Sequence, residues 1–336
     1  MNRGIRCCLF LVVAMLLLFL MNLLSGSVDI PFSEVFRILI GKMSSKASWR
    51  FIVLEARLPQ ALTAMLCGAS LAVSGLLLQT AFRNPLAGPG IFGISSGASL
   101  GVAVVMLALG GSVSAGMFTF TGMMAVLLAA FAGAMLVTLV LFFFSVHVRN
   151  NVMLLIIGIM VGYLSNSAIT LLNFFATEEG VRSYLVWGMG HFGGVPMSHM
   201  PVFASVSLVG IALSVVLVKP LNALLLGEQY AESMGVNTHR MRHVLLVVTG
   251  LLTAIATAFC GPVAFVGLAV PHIARLLVTT DNHRQLLPAT LLCGSVVALF
   301  CNWVCSLPGE HGLLPLNAVT PLVGAPVIIY VLLTKH

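Results

Sequence analysis

The side chains able to do chemistry are sparse in this chain, and their placement limits what that chemistry is. Cys301 and Cys305 stand four residues apart on one helical face, a spacing two thiolate ligands can use, but no His or carboxylate lies between them. They read as small apolar packing residues, as do the scattered Cys7, Cys8, Cys67, Cys260 and Cys293, so neither a metal site nor a disulfide framework is expected. A phosphate-binding loop needs glycines followed by Lys-Ser/Thr, and the one Gly-Lys pair, Gly41-Lys42, runs into Met43. The chain therefore holds no nucleotide site of its own, and any ATP-driven motion must come from another subunit. His272 and Arg275 follow Pro271 at the end of an apolar run, where a structural and a functional role are equally open. No pair of catalytic groups falls at membrane depth, so no catalytic residue and no cofactor is assigned. A proton or sodium relay also lacks its intramembrane carboxylates.

These residues sit in a chain of 336 residues that is 60% hydrophobic and 7% charged, with mean hydropathy +1.11. A soluble fold carries about 25% charged residues. The apolar residues form long runs, such as Leu9 to Leu24 and Met123 to Phe144, without the alternation of a membrane barrel. The fold class expected is all-α, a polytopic transmembrane helical bundle of about ten helices forming one domain over 1–336. Spans are placed at 8–24, 58–81, 92–110, 119–146, 152–175, 201–218, 244–260, 262–278, 286–306 and 317–334, each taken as long enough to cross the hydrocarbon. The first, behind Arg3 and Arg6, is longer than a signal-peptide core and is read as a retained helix.

Ten spans put both termini on one side. That side receives Arg3, Arg6, Arg83, Arg149, Lys219, Arg240, Arg242, Arg275, Arg284 and Lys335 against Glu228, Glu232 and Asp281. The other receives Arg37, Lys42, Lys46, Arg50, Arg57 and Arg182 against Asp29, Glu34, Glu55, Glu178, Glu179 and Glu310. The whole formal charge of +7 thus lies on the side of the termini, which the positive-inside rule makes cytoplasmic. The basic balance reports topology and not a nucleic-acid partner.

Three connections are long. Ser27 to Arg57, outside, is amphipathic; 176–200, also outside, reads as a short interfacial helix and a tight glycine turn. The third, 222–243, is the only sizeable polar segment inside. Leu224, Leu225, Tyr230, Ala231 and Met234 lie near helical spacing, and Gly235 stops the helix before Asn237 or Thr238 caps the next. It reads as two short helices hinged at Gly235, either a solvated connector or a docking knob whose apolar residues need a partner.

Gly88-Pro89-Gly-Ile-Phe-Gly93-Ile and Gly261-Pro262-Val-Ala-Phe-Val-Gly267-Leu look alike, each closing one span and opening another on opposite sides. That is the signature of an inverted repeat, which transporters use. The second and third spans are rich in small residues, from Gly68 to Gly75 and from Gly93 to Gly101, which permit close helix contact.

Seven stretches, in order, carry a resemblance to a known family: Arg57-Leu-Pro-Gln-Ala-Leu, Gly68 to Gln79, Arg83-Asn-Pro-Leu-Ala-Gly-Pro-Gly-Ile-Phe-Gly to Gly97, Trp187-Gly-Met-Gly-His-Phe-Gly-Gly194, Gly227-Glu228 to Gly235, Gly267-Leu-Ala-Val-Pro-His-Ile-Ala-Arg275 and Gly324-Ala-Pro326. From about residue 50 onward the chain resembles the FecCD-type permeases, membrane subunits of bacterial ABC importers for ferric siderophores, haem and cobalamin. The resemblance implies an inner-membrane permease dimer, in the simplest case a homodimer surrounded by membrane lipid. It also implies two cytoplasmic ABC ATPase subunits and a periplasmic substrate-binding protein. It makes 222–243 the ATPase coupling segment, with Leu225, Gly227, Glu228, Ala231, Met234, Gly235 and Val236 as its contacts. It makes Arg57 a docking cation for the binding protein, Asn151 and Val152 the cytoplasmic gate, and Thr177 the periplasmic gate. The chain departs from the cobalamin pattern at Gln60, Ser306 and Leu313, so that docking rests on fewer ion pairs or on Arg50 and Arg182; Val152 likewise lacks a hydroxyl. The rival reading is an ion-coupled secondary transporter with inverted repeats, which the missing membrane carboxylates disfavour.

Overall fold

A computed structural model describes residues 3–115, 118–148, 151–307 and 312–334. The apolar runs form α1 (Arg3–Leu24), α4 (Leu58–Ala81), α5 (Ile94–Ala103), α6 (Met123–His147), α7 (Asn151–Phe175), α9 (Met200–Val216), α12 (Thr238–Cys260), α13 (Val266–Val278), α14 (His283–Ser306) and α15 (Leu316–Thr334). Between them lie α2 (Phe32–Leu39), α3 (Ala47–Phe51), α8 (Glu178–Gly188), α10 (Val218–Leu225) and α11 (Glu228–Ser233). Each of the ten expected spans coincides with a helix. α3 runs through a π-helical turn, Ile52–Arg57, into α4, and α5 continues through another, Val104–Ala108.

Two expectations need correction. The sequence predicts a fourth span from 119, but Phe118–Thr121 pairs antiparallel with Ser112–Ala115, Ser112 opposite Thr121, and the helix begins only at Met123. Phe-Thr-Phe-Thr alternates as a strand does, and Gly110, Gly111 and Gly122 bracket it with left-handed backbone. Nor is every element long enough to cross alone: Ile94–Ala108, Val266–Val278 and Leu316–Val331 are shorter. The thirteen residues of α13 span about 20 Å against a hydrocarbon core of about 30 Å. The deficit in two of the three is met by the irregular turns before α5 and α13. Such backbone is tolerated at depth only when protein surrounds it, and Ala87, Phe92, Ile94 and Val266 are buried.

Those turns expose the repeat. Exchanging α4, α5, α6 and α7 for α12, α13, α14 and α15 carries the helix contacts onto one another. α4 packs on α14 as α12 does on α6, α4 on α13 as α12 on α5, and α5 on α7 as α13 on α15, while α4 and α12 meet at the centre. Each short helix follows a residue in the left-handed region, Gly93 before α5 and Phe265 before α13. The small residues lie at these crossings. A Cβ built on Gly75 would overlap the Gly267 carbonyl oxygen of α13, and one on Gly68 the Gly294 carbonyl oxygen of α14. The two backbones therefore touch with no side chain between them.

Polar bonds hold the bundle at both ends. At one, Gln60 Nε2 donates to Asn302 Oδ1 (2.9 Å), Asn302 Nδ2 to Asn22 Oδ1 (2.7 Å), and Trp303 to Ser25 Oγ (3.1 Å), tying α1, α4 and α14. At the other, Gly4 of α1 lies against Gln285 of α14. The two ends of α1 and α14 therefore coincide, and the basic residues Arg83, Arg242, Arg275 and Arg284 share an end with the start of the chain.

Beyond the first end lies α2, whose Val35 and Ile38 are buried while Phe32 and Phe36 stack in the open, ring centroids 6.4 Å apart. Its Glu34 carboxylate turns inward to accept from Ser45 Oγ (2.6 Å), Ser45 N (3.0 Å) and Ser44 Oγ (3.1 Å), beside Arg37. The Ser45 bonds, helped by Ser44 and Arg37, hold its pKa down at about 2. A depressed carboxylate contributes stability above its unfolded pKa and loses it as pH falls through the folded one. In limited proteolysis the segment 26–46 is expected to stay resistant at pH 5 and to open as pH falls from about 4.5 toward about 2. The Glu34→Gln variant should be open already at pH 7; equal resistance of the two proteins at pH 7 would remove the role given to Glu34.

Candidate functional site: a docking segment at the basic end

After Val216, α9 turns by 52° into α10. α10 ends at Leu225, and the chain then passes Gly227 at φ 122°, ψ 152°, a region open essentially to glycine alone. α11 follows, Gly235 (φ 83°) closes it, and Asn237 caps α12 by accepting from Arg240 N at 2.8 Å. The expected pair of helices is present, but they meet at Gly227; Gly235 instead joins α11 to α12. A Cβ at Gly227 would come within 3.2 Å of Arg83 Nη2, the mobile end of a side chain, so it is the backbone angle that calls for glycine there.

The segment presents one face inward and one outward. Leu221, Leu224 and Ala231 are buried, and Val236 is half-buried against the core. Leu225, Leu226, Tyr230 and Met234 are exposed, Met234 at 61%. Glu228 Oε1 bonds Arg242 Nη2 of α12 at 3.1 Å, and Thr238 Oγ1 donates to Glu232 Oε1 at 2.6 Å. An apolar, exposed surface of this kind at a polar end of a membrane bundle is suited to receive a partner.

Behind it is a cavity of about 290 Å³ lined by Gln79, Thr80, Arg83, Pro85, Leu224, Leu225, Arg275 and Asp281. Arg275 donates to Gln79 Oε1 (2.6 Å) and pairs with Asp281 (3.3 Å), while His272 Nε2 meets the Pro85 carbonyl at 2.8 Å. The two residues left open by the sequence thus bind α13 to the end of α4. Among the described residues, no group of three or more His, Cys, Asp or Glu is arranged to hold a metal.

The other expected residues lie elsewhere. Val152, at the start of α7, is 61% exposed; the Asn151 side chain beside it falls outside the described residues. Thr177 stands beyond the far end of α7, roughly 37 Å away along the helix, and caps α8 by accepting from Gly180 N at 3.2 Å. It borders a cavity of about 1030 Å³ that also meets Met106, Trp187, His191 and Phe259. Burial there pushes the His191 pKa down. Arg57 is only 6% exposed, and its guanidinium donates to the carbonyls of Leu23 and Leu24, both at 2.9 Å, and of Val28. It fastens the chain leaving α1 to the start of α4. The exposed cations of this end include Arg50 and Arg182.

Several contributors went unseen in the sequence. In the sequence Arg242 is only a topological charge, and Asn317 is assigned no role. Asn317 bonds the Gly188 and Pro262 carbonyls (3.0 and 2.5 Å) and the Ala264 amide (3.0 Å), joining α8, the turn before α13 and α15. A polar residue one place inside an apolar run was the available signal.

Known proteins resemble the whole of this arrangement. The FecCD transport family matches residues 14–334. The vitamin B12 import system permease protein BtuC of Salmonella paratyphi A is 37% identical over 293 residues, 85% of each chain. That of Citrobacter koseri is 33% identical over 336 residues, all of this chain and 96% of that one. A solved structure described as a metal-chelate type ABC transporter in an inward-facing conformation superposes with a TM-score of 0.83 at 27% identity, covering 98% of this chain and 99% of the other. Matched over nearly its whole length by the family and by these relatives, the chain belongs to the FecCD transport family and is a multi-pass permease subunit of an ABC importer.

Proposed function

We propose that this permease carries a bulky metal chelate or corrinoid, of the ferric siderophore, haem or cobalamin type, inward across a bacterial inner membrane. The basic end faces the cytoplasm with both termini, and the end bearing α8 faces the periplasm. Cobalamin is the cargo named for the permeases of 33 to 37% identity, and a metal chelate that of the structural neighbour. The chain performs no covalent chemistry; two cytoplasmic ATPases engage the segment of Leu225, Gly227, Glu228, Met234, Gly235 and Val236, which the buried Ala231 packs onto the bundle from within rather than touching the partner, and rearrange a dimer of permeases. The second subunit, a copy in the simplest case, covers α7, where Ile156, Met160, Leu164, Leu171 and Phe175 are exposed in the single chain. The pathway follows that helix from a gate at Asn151 and Val152 to one at Thr177. A periplasmic binding protein docks at the opposite end around the segment that Arg57 fastens, Arg50 supplying exposed charge that steers the encounter.

The observation that carries the reading is the exposed apolar patch of Leu225, Tyr230 and Met234 at the basic end. A photo-crosslinking residue at Met234 is expected to capture the ATPase encoded with this permease, and one at Phe32, on the opposite end, is not. Capture from Phe32 and silence from Met234 would reverse the orientation and remove the coupling assignment.

A further inference from the structure

The docking segment is fastened to the bundle at two separate places, and Gly227 stands between them. On the α10 side, Asn222 is the hub. Its Nδ2 donates to Asn282 Oδ1 (3.0 Å), the oxygen that caps α14 by accepting from Arg284 N (3.0 Å). Its Oδ1 accepts from the His283 amide (2.8 Å) and faces His283 Nδ1 (3.0 Å). Because that oxygen only accepts, Nδ1 carries a proton, and Nε2 of the neutral ring faces Thr80 Oγ1 of α4 at 2.9 Å, a hydroxyl that also lies 2.9 Å from the Leu76 carbonyl oxygen. His283 is fully buried, and direct bonds join α10 to α14 and α4. On the α11 side the bonds run to another helix: Glu228 to Arg242 and Glu232 to Thr238, both on α12.

We infer that Asn222 and His283 are positioning residues that fix α10 to α14 and α4, so that force applied to α11 moves α12 against them about Gly227. This rests on the reading of 222–243 as the segment the ATPase engages, and assigns the hinge and the two clamps within it. A hydrogen-bonded clamp transmits displacement because its buried partners cannot be left unmade cheaply. The glycine between the clamps supplies backbone freedom where no side chain competes for it. α4 and α12 are the two helices in contact at the centre of the repeat. A hinge between their clamps therefore turns motion at the docking surface into motion at the core.

The test uses the complete complex of permease, ATPase and binding protein in lipid. Spin labels are introduced as non-natural residues at exposed positions, one pair at Lys219 and Arg284 across the α10 clamp and one at Ser233 and Arg284 across the hinge. Between nucleotide-free and vanadate-trapped states the first distance is expected to stay constant and the second to shift. Asn222→Ala should release the first distance and lower cargo moved per ATP hydrolysed about tenfold, the size of effect expected when buried hydrogen-bond partners are left unmade. Asn222→Asp, which keeps the oxygen facing His283, should recover most of that ratio, and Thr80→Val should lower it. ATP-dependent uptake by the unmodified chain with the Lys219–Arg284 distance changing, or with Asn222→Ala transporting at the normal ratio, would overturn the clamp alone. Uptake by the unmodified chain that ignores ATP would withdraw the importer reading and the clamp together.

Discussion

Gly75→Leu is expected to leave almost no folded permease in the membrane. At this position α4 crosses α13 backbone to backbone, and a Cβ would already overlap the Gly267 carbonyl oxygen. Overpacking in a core that can adjust costs about 1–3 kcal/mol. Here the obstacle is backbone, and α4 is pressed on its other sides by α12 and α14, so relief requires parting the centre of the repeat. Losses above about 4–5 kcal/mol, a large share of the stability of any protein, come from such cases. Size-exclusion profiles of detergent extracts should show the monodisperse peak reduced by more than about tenfold. Gly68→Leu, facing Gly294 of α14, should behave alike. Gly90→Ala, with nothing within 4 Å of the new methyl, should be neutral. A normal peak for Gly75→Leu would mean that the α4 and α13 backbones do not touch.

Glu228→Lys is expected to separate ATP hydrolysis from uptake. Arg242 has a side chain only 6% exposed, and its Nη1 already has no partner, so the Glu228 bond at 3.1 Å is a principal compensation for its charge. Breaking a fully buried pair costs about 3–5 kcal/mol. Glu228 is 39% exposed, so solvent screens part of this and a smaller loss is expected. The introduced ammonium also repels Arg242 and turns α11 away from α12. Assembled complexes should continue to hydrolyse ATP while cargo uptake falls at least about tenfold, equivalent to about 1.4 kcal/mol of lost coupling. The double exchange Glu228→Lys with Arg242→Glu should restore part of the uptake, since it returns opposite charges to the same contact. Equal loss in the single and double variants would show that the pair does not act as a unit.

The membrane elements were legible because an apolar run is nearly sufficient to specify a helix in lipid, where each backbone donor must be satisfied within its own segment. For that reason α1, α4, α7 and α14 begin and end within a few residues of expectation. Where the run met a different local rule, the expectation failed: the Phe-Thr alternation at 118–121 pairs as a strand, and α13 begins only at Val266, four residues later than expected, because an irregular turn precedes it. The repeat was visible in two short Gly-Pro stretches, but its contact symmetry depends on which helix faces which. That information lies in no single segment.

The candidate docking segment was legible in outline from its glycines and its apolar residues in a polar stretch. The helix boundary at Gly235 was legible from that glycine and the cap at Asn237, whereas the second break, at Gly227, was not read, although both glycines adopt positive φ. The partners of charged groups were the least visible. Arg242 finds Glu228 fourteen residues away across a turn, and Arg57 finds carbonyls more than twenty-five residues back in the chain. Long-range bonds of this kind follow from packing, and spacing carries no trace of them.

The most direct test of the account is uptake into proteoliposomes holding this permease, its ATPase and its binding protein, with labelled cobalamin, ferric siderophore and haem compared side by side. The account predicts that one of these ligands accumulates, that accumulation needs both ATP and the binding protein, and that Glu228→Lys abolishes it while hydrolysis continues. Accumulation driven by an imposed proton or sodium gradient without ATP would contradict it.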